Sequence, residues 1–303
     1  MSRGLLDIES LPRQDIEAIL ARSKDFQPAP GQTFKRVQLL QGRTIVNLFF
    51  EASTRTRTSF EIAAKRLGAD VLSITTSGSS VAKGESLVDT LNTLAAMRPD
   101  AIVMRHSASG APQFLSRYLP VPIVNAGDGT HEHPTQALLD ALTILDRRGT
   151  LEHLRVAIIG DIAHSRVARS NIFLLSKFAV EVVLCGPASL LPRHMCEMAP
   201  GIELATDMEK AIRGVDVIMM LRVQLERQQE AAFPADEYFR FYGLRPEHIE
   251  LANPDVIVMH PGPINRGREI SSEVADSQRS AILNQVENGV AVRMAVLERV
   301  LTK

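Results

Sequence analysis

The sequence predicts an α/β protein of two domains, each a parallel sheet with helices on both faces, joined by interdomain helices. Three observations predict it. The chain has 303 residues, more than one core of ordinary size. Short, nearly continuous apolar runs alternate with stretches of helical period, the pattern of parallel strands buried on both faces. The alternation also stops and restarts around Asp146-Arg147-Arg148-Gly149-Thr150, which reads as a charged boundary.

A first helix is expected after Ser10 and Pro12, amphipathic through Ile16, Ile19 and Leu20, followed by a Pro/Gly-containing connection from Gln27 to Thr33. Strands are then expected at Thr44 to Phe50, Asp70 to Thr75, Ala101 to Arg105 and Val121 to Asn125. Helices should fill Thr54 to Leu67, Ser86 to Met97, Ala111 to Tyr118 and Pro134 to Leu145, with Gly68 suited to end the first of these. The second series has strands at Arg155 to Asp161, Glu181 to Cys185, Val215 to Leu221 and Val256 to His260. From Ser277 to Leu301 the pattern is helical again, with Ile282, Val286, Val290, Met294 and Leu297 on the apolar face.

Composition narrows the function. A formal net charge of −1 argues against nucleic acid or an anionic membrane as the main partner. No uncharged apolar run is long enough to span a bilayer, and the N-terminus lacks the apolar core and cleavage site of a secretory signal. Cys185 and Cys196 are the only cysteines and sit in no CxxC or Cys/His cluster. A disulfide framework and a structural zinc are therefore not expected, and a cytoplasmic location is.

The most informative stretch runs from Phe49 to Phe60. A β-prone run stops at Ser53-Thr54-Arg55-Thr56-Arg57, and a helical pattern follows. Strand, polar turn and helix in that order aim backbone N–H groups and the positive end of a helix dipole at one point. Ser53, Thr54 and Thr56 add hydroxyls, and Arg55 adds a planar fork that matches phosphate oxygens. Two readings stand: a site for a phosphate ester or acyl phosphate, or a Ser/Thr helix cap with two solvated arginines.

Other strand ends carry similar chemistry. Arg105 closes the strand before His106. His133 and Gln136 flank Pro134, which suits a first helical turn, so a neutral His133 near a helix N-terminus could donate to a carbonyl oxygen. His131-Glu132-His133 also invites a metal, but no third ligand lies at familiar zinc spacing. Gly160-Asp161-Ile162-Ala163-His164-Ser165-Arg166 opens a helix without the glycines of a dinucleotide site. Arg166 there needs an anion to offset the dipole. Arg222 ends another strand, and His260-Pro261-Gly262-Pro263 ends the next. Ser79-Ser80-Val81-Ala82-Lys83-Gly84-Glu85 reads on its own as a surface turn. So much positive charge at strand ends calls for anionic guests, one with a phosphate and one with two carboxylates.

Ser53-Thr54-Arg55-Thr56-Arg57, Lys83-Gly84-Glu85, His133-Pro134-Thr135-Gln136 and His260-Pro261-Gly262-Pro263 together resemble the signature set of the aspartate/ornithine carbamoyltransferases. The resemblance runs almost end to end and includes the C-terminal helix. It implies that residues 1–147, with 287–303 packing back on them, bind carbamoyl phosphate, and that 148–286 bind the acceptor. Ser53, Thr54, Arg55 and Thr56 would hold phosphate, and Arg105 would bridge phosphate and carbonyl oxygen. Thr56, Arg105 and His133 would polarise the carbonyl, while Gln136 and the Pro261-Gly262-Pro263 turn would orient the carbamoyl NH2. The ornithine branch carries a Ser-Met-Gly loop and a His-Cys-Leu-Pro turn. This chain has Arg222-Val223-Gln224 and His260-Pro261-Gly262-Pro263 instead, which suits a dicarboxylate.

Aspartate is thus the expected acceptor, gripped by Arg166, Arg222 and Gln224, with N-carbamoyl-L-aspartate and phosphate as products in an early step of de novo pyrimidine biosynthesis. Members of the family are trimers, so Ser79 and Lys83 would reach a neighbouring subunit's site, and Lys83 would touch both substrates. A homotrimer or dimer of trimers, with a regulatory chain or dihydroorotase-like partner possible, follows from the same resemblance. No cofactor or metal is implied. The alternatives are a non-catalytic anion-binding homologue and a transferase acting on ornithine or an N-acetylated amino acid.

Overall fold

The computed structural model describes residues 4–29, 31–75, 87–222 and 235–302. It divides into two compact units, Met1–Leu139 with Glu287–Lys303, and Asp140–Val286. The division falls inside one long helix near the middle of the chain and again inside the last helix.

In the first unit the elements are α1 (Arg13–Phe26), β1 (Thr44–Phe49), α2 (Thr54–Arg66), β2 (Asp70–Thr75), α3 (Leu87–Ala96), β3 (Ala101–His106), α4 (Ala111–Leu115), β4 (Ile123–Asp128) and the start of α5 (Pro134–Arg148). All four strands are parallel, in the order β2-β1-β3-β4. The apolar runs of β1 and β3 are buried as their composition requires, and Val46, Leu48, Ile102 and Met104 join Leu91 and Leu115 in one core. Helix α2 buries Phe60, Ala63 and Ala64 and ends at Gly68, whose φ of +84° is open to glycine at little cost.

Four expectations shift here, three of them for a local reason. β2 is mostly exposed, with Leu72 57% accessible, because it is an edge strand with a neighbour on one side only. Helix α4 stops at Leu115 rather than Tyr118. β4 begins two residues late, since Pro122 has no N–H to give the ladder and contributes only its carbonyl, to Ile102 N at 3.0 Å. Helix α5 runs through the expected charged boundary to Arg148. Arg147 donates to the Gln278 carbonyl at 2.8 Å, and Arg148 to Asp216 at 2.7 Å and the Asp255 carbonyl at 2.9 Å. Cations at a helix C-terminus suit its dipole, so these charges extend the helix instead of breaking it.

The second unit holds the rest of α5, then β5 (Arg155–Ile159), α6 (Arg166–Leu175), β6 (Glu181–Cys185), β7 (Ile202–Ala205), α7 (Met208–Ile212), β8 (Val217–Met220), α8 (Ala235–Tyr242), α9 (Pro246–Ile249), β9 (Ile257–Met259), α10 (Ser272–Ala275) and the first residues of α11 (Ile282–Thr302). Its strands are parallel in the order β7-β6-β5-β8-β9, over a core that includes Ile159, Val183, Ile218, Met220, Tyr238 and Val258. Helix α11 starts at Ile282, not Ser277, because the preceding segment is held along β9: Val258 N donates to Arg279 O and Ala281 N to Val258 O, both at 2.8 Å. Cys185 and Cys196 are free thiols, and burial pushes the Cys185 thiol pKa up to about 12.

Each sheet reverses its order once beside its first strand. The chain leaves β1 for β2 on one side and returns to β3 on the other, and does the same from β5 to β6 and then β8. Ligands of open parallel sheets collect outside the carboxyl ends of the strands at such reversals. The Ser53–Arg57 turn, Arg105, Arg166 and Arg222 end or follow the strands on either side of these reversals.

Candidate active site

In the first unit, β1 delivers Phe50, Glu51 and the Ser53 turn to the reversal point. Ser53 caps α2 in a non-helical conformation, and its hydroxyl makes no capping bond. The hydroxyl is thus not consumed in the role that the capping reading assigned it. Thr54 and Arg55 are exposed and Thr56 is half-buried, so the turn presents its polar groups outward. Arg57 points along the helix instead, 3.8 Å from Glu61.

Arg105 stands opposite Phe49 in the β1–β3 register. Its guanidinium, with the side chain 11% accessible, donates to Glu51 Oε1 at 3.0 Å and to the Ala126 carbonyl at 3.2 Å. Two neighbouring strand ends therefore fix its direction. Nothing in the sequence singles out Glu51 as that partner, although it lies inside the same motif; only the register reveals it.

The turn from β4 to α5 is fixed at nearly every step. The Asp128 carboxylate accepts from Gly110 N at 2.6 Å, Asn125 Nδ2 at 2.8 Å and Glu132 N at 3.1 Å, and faces His131 Nδ1 at 3.0 Å. Buried Glu132 accepts from the backbone of Ile8 at 2.9 Å and Glu9 at 3.1 Å. His131 and Glu132 are thereby used structurally. His133 follows, buried like Gln136, and its carbonyl accepts Gln136 N at 2.9 Å as α5 begins at Pro134.

The Asp128–His131 pair carries a pH signature. Its hydrogen bond to Asp128 holds the His131 pKa above the usual 6.5, against the opposing effect of burial. Burial alone would raise the Asp128 pKa, but the bonds from His131, Asn125 and Gly110 outweigh it and hold it below the usual 3.8. Stabilisation through His131 is thus complete below pH 6.5 and fades as pH rises through the raised value, while that through Asp128 is present above pH 3.8 and fades as pH falls. The Tm deficit of His131→Ala relative to wild type should be largest between those limits and shrink in alkali. A deficit unchanged from about pH 5 to about pH 9 in calorimetry would contradict the pairing.

In the second unit, β5 runs into Gly160 and Asp161. Asp161, buried, accepts His164 N at 3.2 Å and faces His164 Nδ1 at 2.8 Å, and Ser165 caps α6 by accepting Ala168 N at 3.1 Å. A β-carbon on Gly160 would come within 2.9 Å of the Leu221 side chain, so this turn and the end of β8 need glycine to approach so closely. Arg166 is the first residue of α6 and is 4% accessible. Arg222 follows β8 on the adjacent strand, where Leu221 N donates to Ile159 O at 2.8 Å. Next to β8, β9 leads into the Pro261-Gly262-Pro263 turn, which contains a cis Gly262–Pro263 bond. Gly262 N donates to His260 Nδ1 at 2.8 Å, and His260 Nε2 faces Glu269 Oε1 at 3.2 Å, both side chains fully buried.

The fold thus brings Ser53, Thr54, Arg55, Thr56 and Arg105 to one reversal point of the first unit, with His133 and Gln136 on the connection that follows β4. It brings Arg166, Arg222 and the Pro261–Pro263 turn to the carboxyl ends of three adjacent strands of the second. Ser79, Lys83 and Gln224 lie outside the described residues. Among the described residues no group of three or more His, Cys, Asp or Glu side chains is placed to hold a metal ion, and no helix is long and apolar enough to cross a membrane.

Residues 3–146 match the carbamoyl-P binding domain of aspartate/ornithine carbamoyltransferase, and residues 152–300 match its Asp/Orn binding domain. The chain belongs to the aspartate/ornithine carbamoyltransferase family. It is 75% identical to the aspartate carbamoyltransferase catalytic subunit of Solibacter usitatus (strain Ellin6076), across 99% of this chain and 100% of that one. Among solved structures it resembles aspartate transcarbamoylase from Trypanosoma cruzi, in complex with carbamoyl phosphate and aspartate (34% identity, 98% of this chain and 96% of that one, TM-score 0.89). Ornithine carbamoyltransferase from Pyrococcus furiosus is also similar (30% identity, 98% and 96% coverage, TM-score 0.86). Family members of both kinds share the architecture, so the backbone alone does not choose the acceptor.

Proposed function

We propose that this chain is an aspartate carbamoyltransferase, which moves the carbamoyl group of carbamoyl phosphate to the amine of L-aspartate. The products are N-carbamoyl-L-aspartate and phosphate, an early step of de novo pyrimidine biosynthesis. The acceptor reading is carried by one observation: Arg166 and Arg222 stand at the carboxyl ends of the neighbouring strands β5 and β8, where two cations suit a dicarboxylate and would repel a diamine. The close similarity to a named aspartate carbamoyltransferase supports it.

In this reading residues 1–147 with 287–303 bind carbamoyl phosphate, and residues 148–286 bind aspartate. Ser53, Thr54, Arg55 and Thr56 hold its phosphate at the positive end of α2. Arg105 bridges phosphate and carbonyl oxygen, and with Thr56 and His133 stabilises the oxyanion as the tetrahedral intermediate forms. Gln136 and the Pro261-Gly262-Pro263 turn orient the carbamoyl NH2. Arg166, Arg222 and Gln224 hold the two aspartate carboxylates so that the amine meets the carbonyl carbon in near-attack geometry. The amine loses a proton, the new C–N bond forms, the C–O bond to phosphate breaks, and the departing phosphate can accept the proton. No covalent intermediate on the protein is required.

A cytoplasmic homotrimer completes the reading, with Ser79 and Lys83 supplied by an adjacent subunit. A dimer of trimers, a regulatory chain or a dihydroorotase-like partner remains compatible with it. Mixing inactive Arg55→Ala chains with inactive Lys83→Ala chains should restore part of the activity, because some sites then receive both native residues. Verified mixed trimers without recovery would refute the shared site. The decisive assay supplies carbamoyl phosphate with L-aspartate, L-ornithine or an N-acetylated amino acid in turn. Carbamoyl aspartate should be the dominant product, and turnover of another acceptor in preference to aspartate would overturn the assignment.

A further inference from the structure

A fully buried carboxylate that has no part in the chemistry above sits at the centre of a polar network in the second unit. Asp140 lies on α5, one turn beyond Gln136, and is 0% accessible. Its Oδ2 accepts Asn171 Nδ2 at 2.9 Å, and its Oδ1 accepts Gln285 Nε2 at 2.7 Å. Asn171 is on α6, whose first residue is Arg166. Gln285, in the first turn of α11, accepts the His260 backbone N–H at 2.9 Å through Oε1, and His260 in turn accepts Gly262 N. One carboxylate thus ties α5 both to the helix that carries Arg166 and to the turn that carries Pro261 and Gly262.

We propose that Asp140 is a positioning residue that sets the placement of Arg166 and of the Pro261-Gly262 turn through Asn171 and Gln285. This inference rests on the carbamoyl-transfer reading for its effect on turnover, but the link itself can be read without activity. The energetic reason is direct. A buried carboxylate that accepts two amide donors is costly to mismatch, because neither donor has water as a substitute partner. The elements joined to it therefore move together or not at all.

The donor and acceptor pattern supplies a selective test. In Asp140→Asn the shape is kept, but one of the two amide donors must now face an NH2 group. The second substitution Gln285→Glu reverses that conflict. The new amide at position 140 can donate to one carboxylate oxygen at position 285 while the other still accepts His260 N, and the carbonyl of that amide accepts Asn171. Hydrogen–deuterium exchange of the His260 amide should accelerate in Asp140→Asn by about tenfold or more and return towards wild type in the double variant. In steady-state kinetics the aspartate KM should rise by about tenfold in the single variant and recover in the double, and the directly measured affinity for carbamoyl phosphate, which the Pro261-Gly262 turn serves, should weaken and recover in parallel. If Asp140→Asn does not fold, Asn171→Ala, which removes one donor only, should show the same rise in aspartate KM. Unchanged exchange at His260 in folded Asp140→Asn, or an unchanged aspartate KM in Asn171→Ala, would break the link. Altered exchange or Tm with an unchanged aspartate KM would make the network structural only and overturn the positioning role. A wild-type chain that makes no carbamoyl aspartate, with the exchange pattern as stated, would instead count against the assigned reaction.

Discussion

Replacing Arg105 by alanine should lower kcat by about 10²–10³-fold, the effect of deleting one preorganised oxyanion donor. The structure gives a reason to expect the full effect. The guanidinium is 11% accessible and held from two sides, by Glu51 and by the Ala126 carbonyl, so no other described cation is fixed at that strand end in its place. Arg105→Lys should recover little, because a single ammonium cannot reproduce a planar fork that meets Glu51, a backbone carbonyl and substrate oxygens together. Removing Arg105 also leaves Glu51 as a half-buried carboxylate without that contact, which by itself could disturb the turn. The Glu51→Gln single variant and the Arg105→Ala/Glu51→Gln pair separate these contributions. If the loss in Arg105→Ala is catalytic, adding Glu51→Gln should not restore kcat. Full recovery in the pair would show that Arg105 serves only to neutralise Glu51.

Arg166→Ala should raise the aspartate KM by roughly ten- to a hundredfold, the equivalent of about 1.5–3 kcal/mol for one charge-assisted contact. Carbamoyl phosphate binding, measured directly in the absence of aspartate, should change little. The expectation follows from an unfavourable arrangement. A buried arginine at the first position of α6 faces the positive end of the helix dipole, so it is placed for an anion rather than for the stability of the helix. Loss of carbamoyl phosphate affinity, with the aspartate KM intact, would show that Arg166 belongs to the donor half.

Much of this site was legible in the chain because its residues occupy ends of elements. An apolar strand that stops at arginine, or at Ser-Thr-Arg-Thr-Arg, marks a carboxyl edge whatever the fold beyond it. Parallel α/β sheets put such edges where ligands bind. Proline at the start of α5, and glycine after α2, likewise declare their positions through fixed or permissive backbone angles. The misses have local causes. β7 is four residues long, half-exposed and at the edge, so it leaves no apolar run to notice. Arg147 and Arg148 resemble a loop until their partners in Asp216, Asp255 and Gln278 are known. The segment before α11 keeps a helical pattern but is diverted into pairing with β9.

The sequence by itself determined the class of the fold and marked the strand-end residues from which a site for anionic guests is proposed, because periodicity, chain-end chemistry and charge are local properties. Only the tertiary structure decided which groups act together. Glu51 holds Arg105 because β1 and β3 are in register, Gly160 admits the end of β8 because two strands run side by side, and Asp140 meets both Asn171 and, 145 positions along the chain, Gln285. Those pairings depend on burial and on direction. A hydrogen bond between residues far apart in sequence leaves no periodic trace, and its strength comes from the water that the fold excludes.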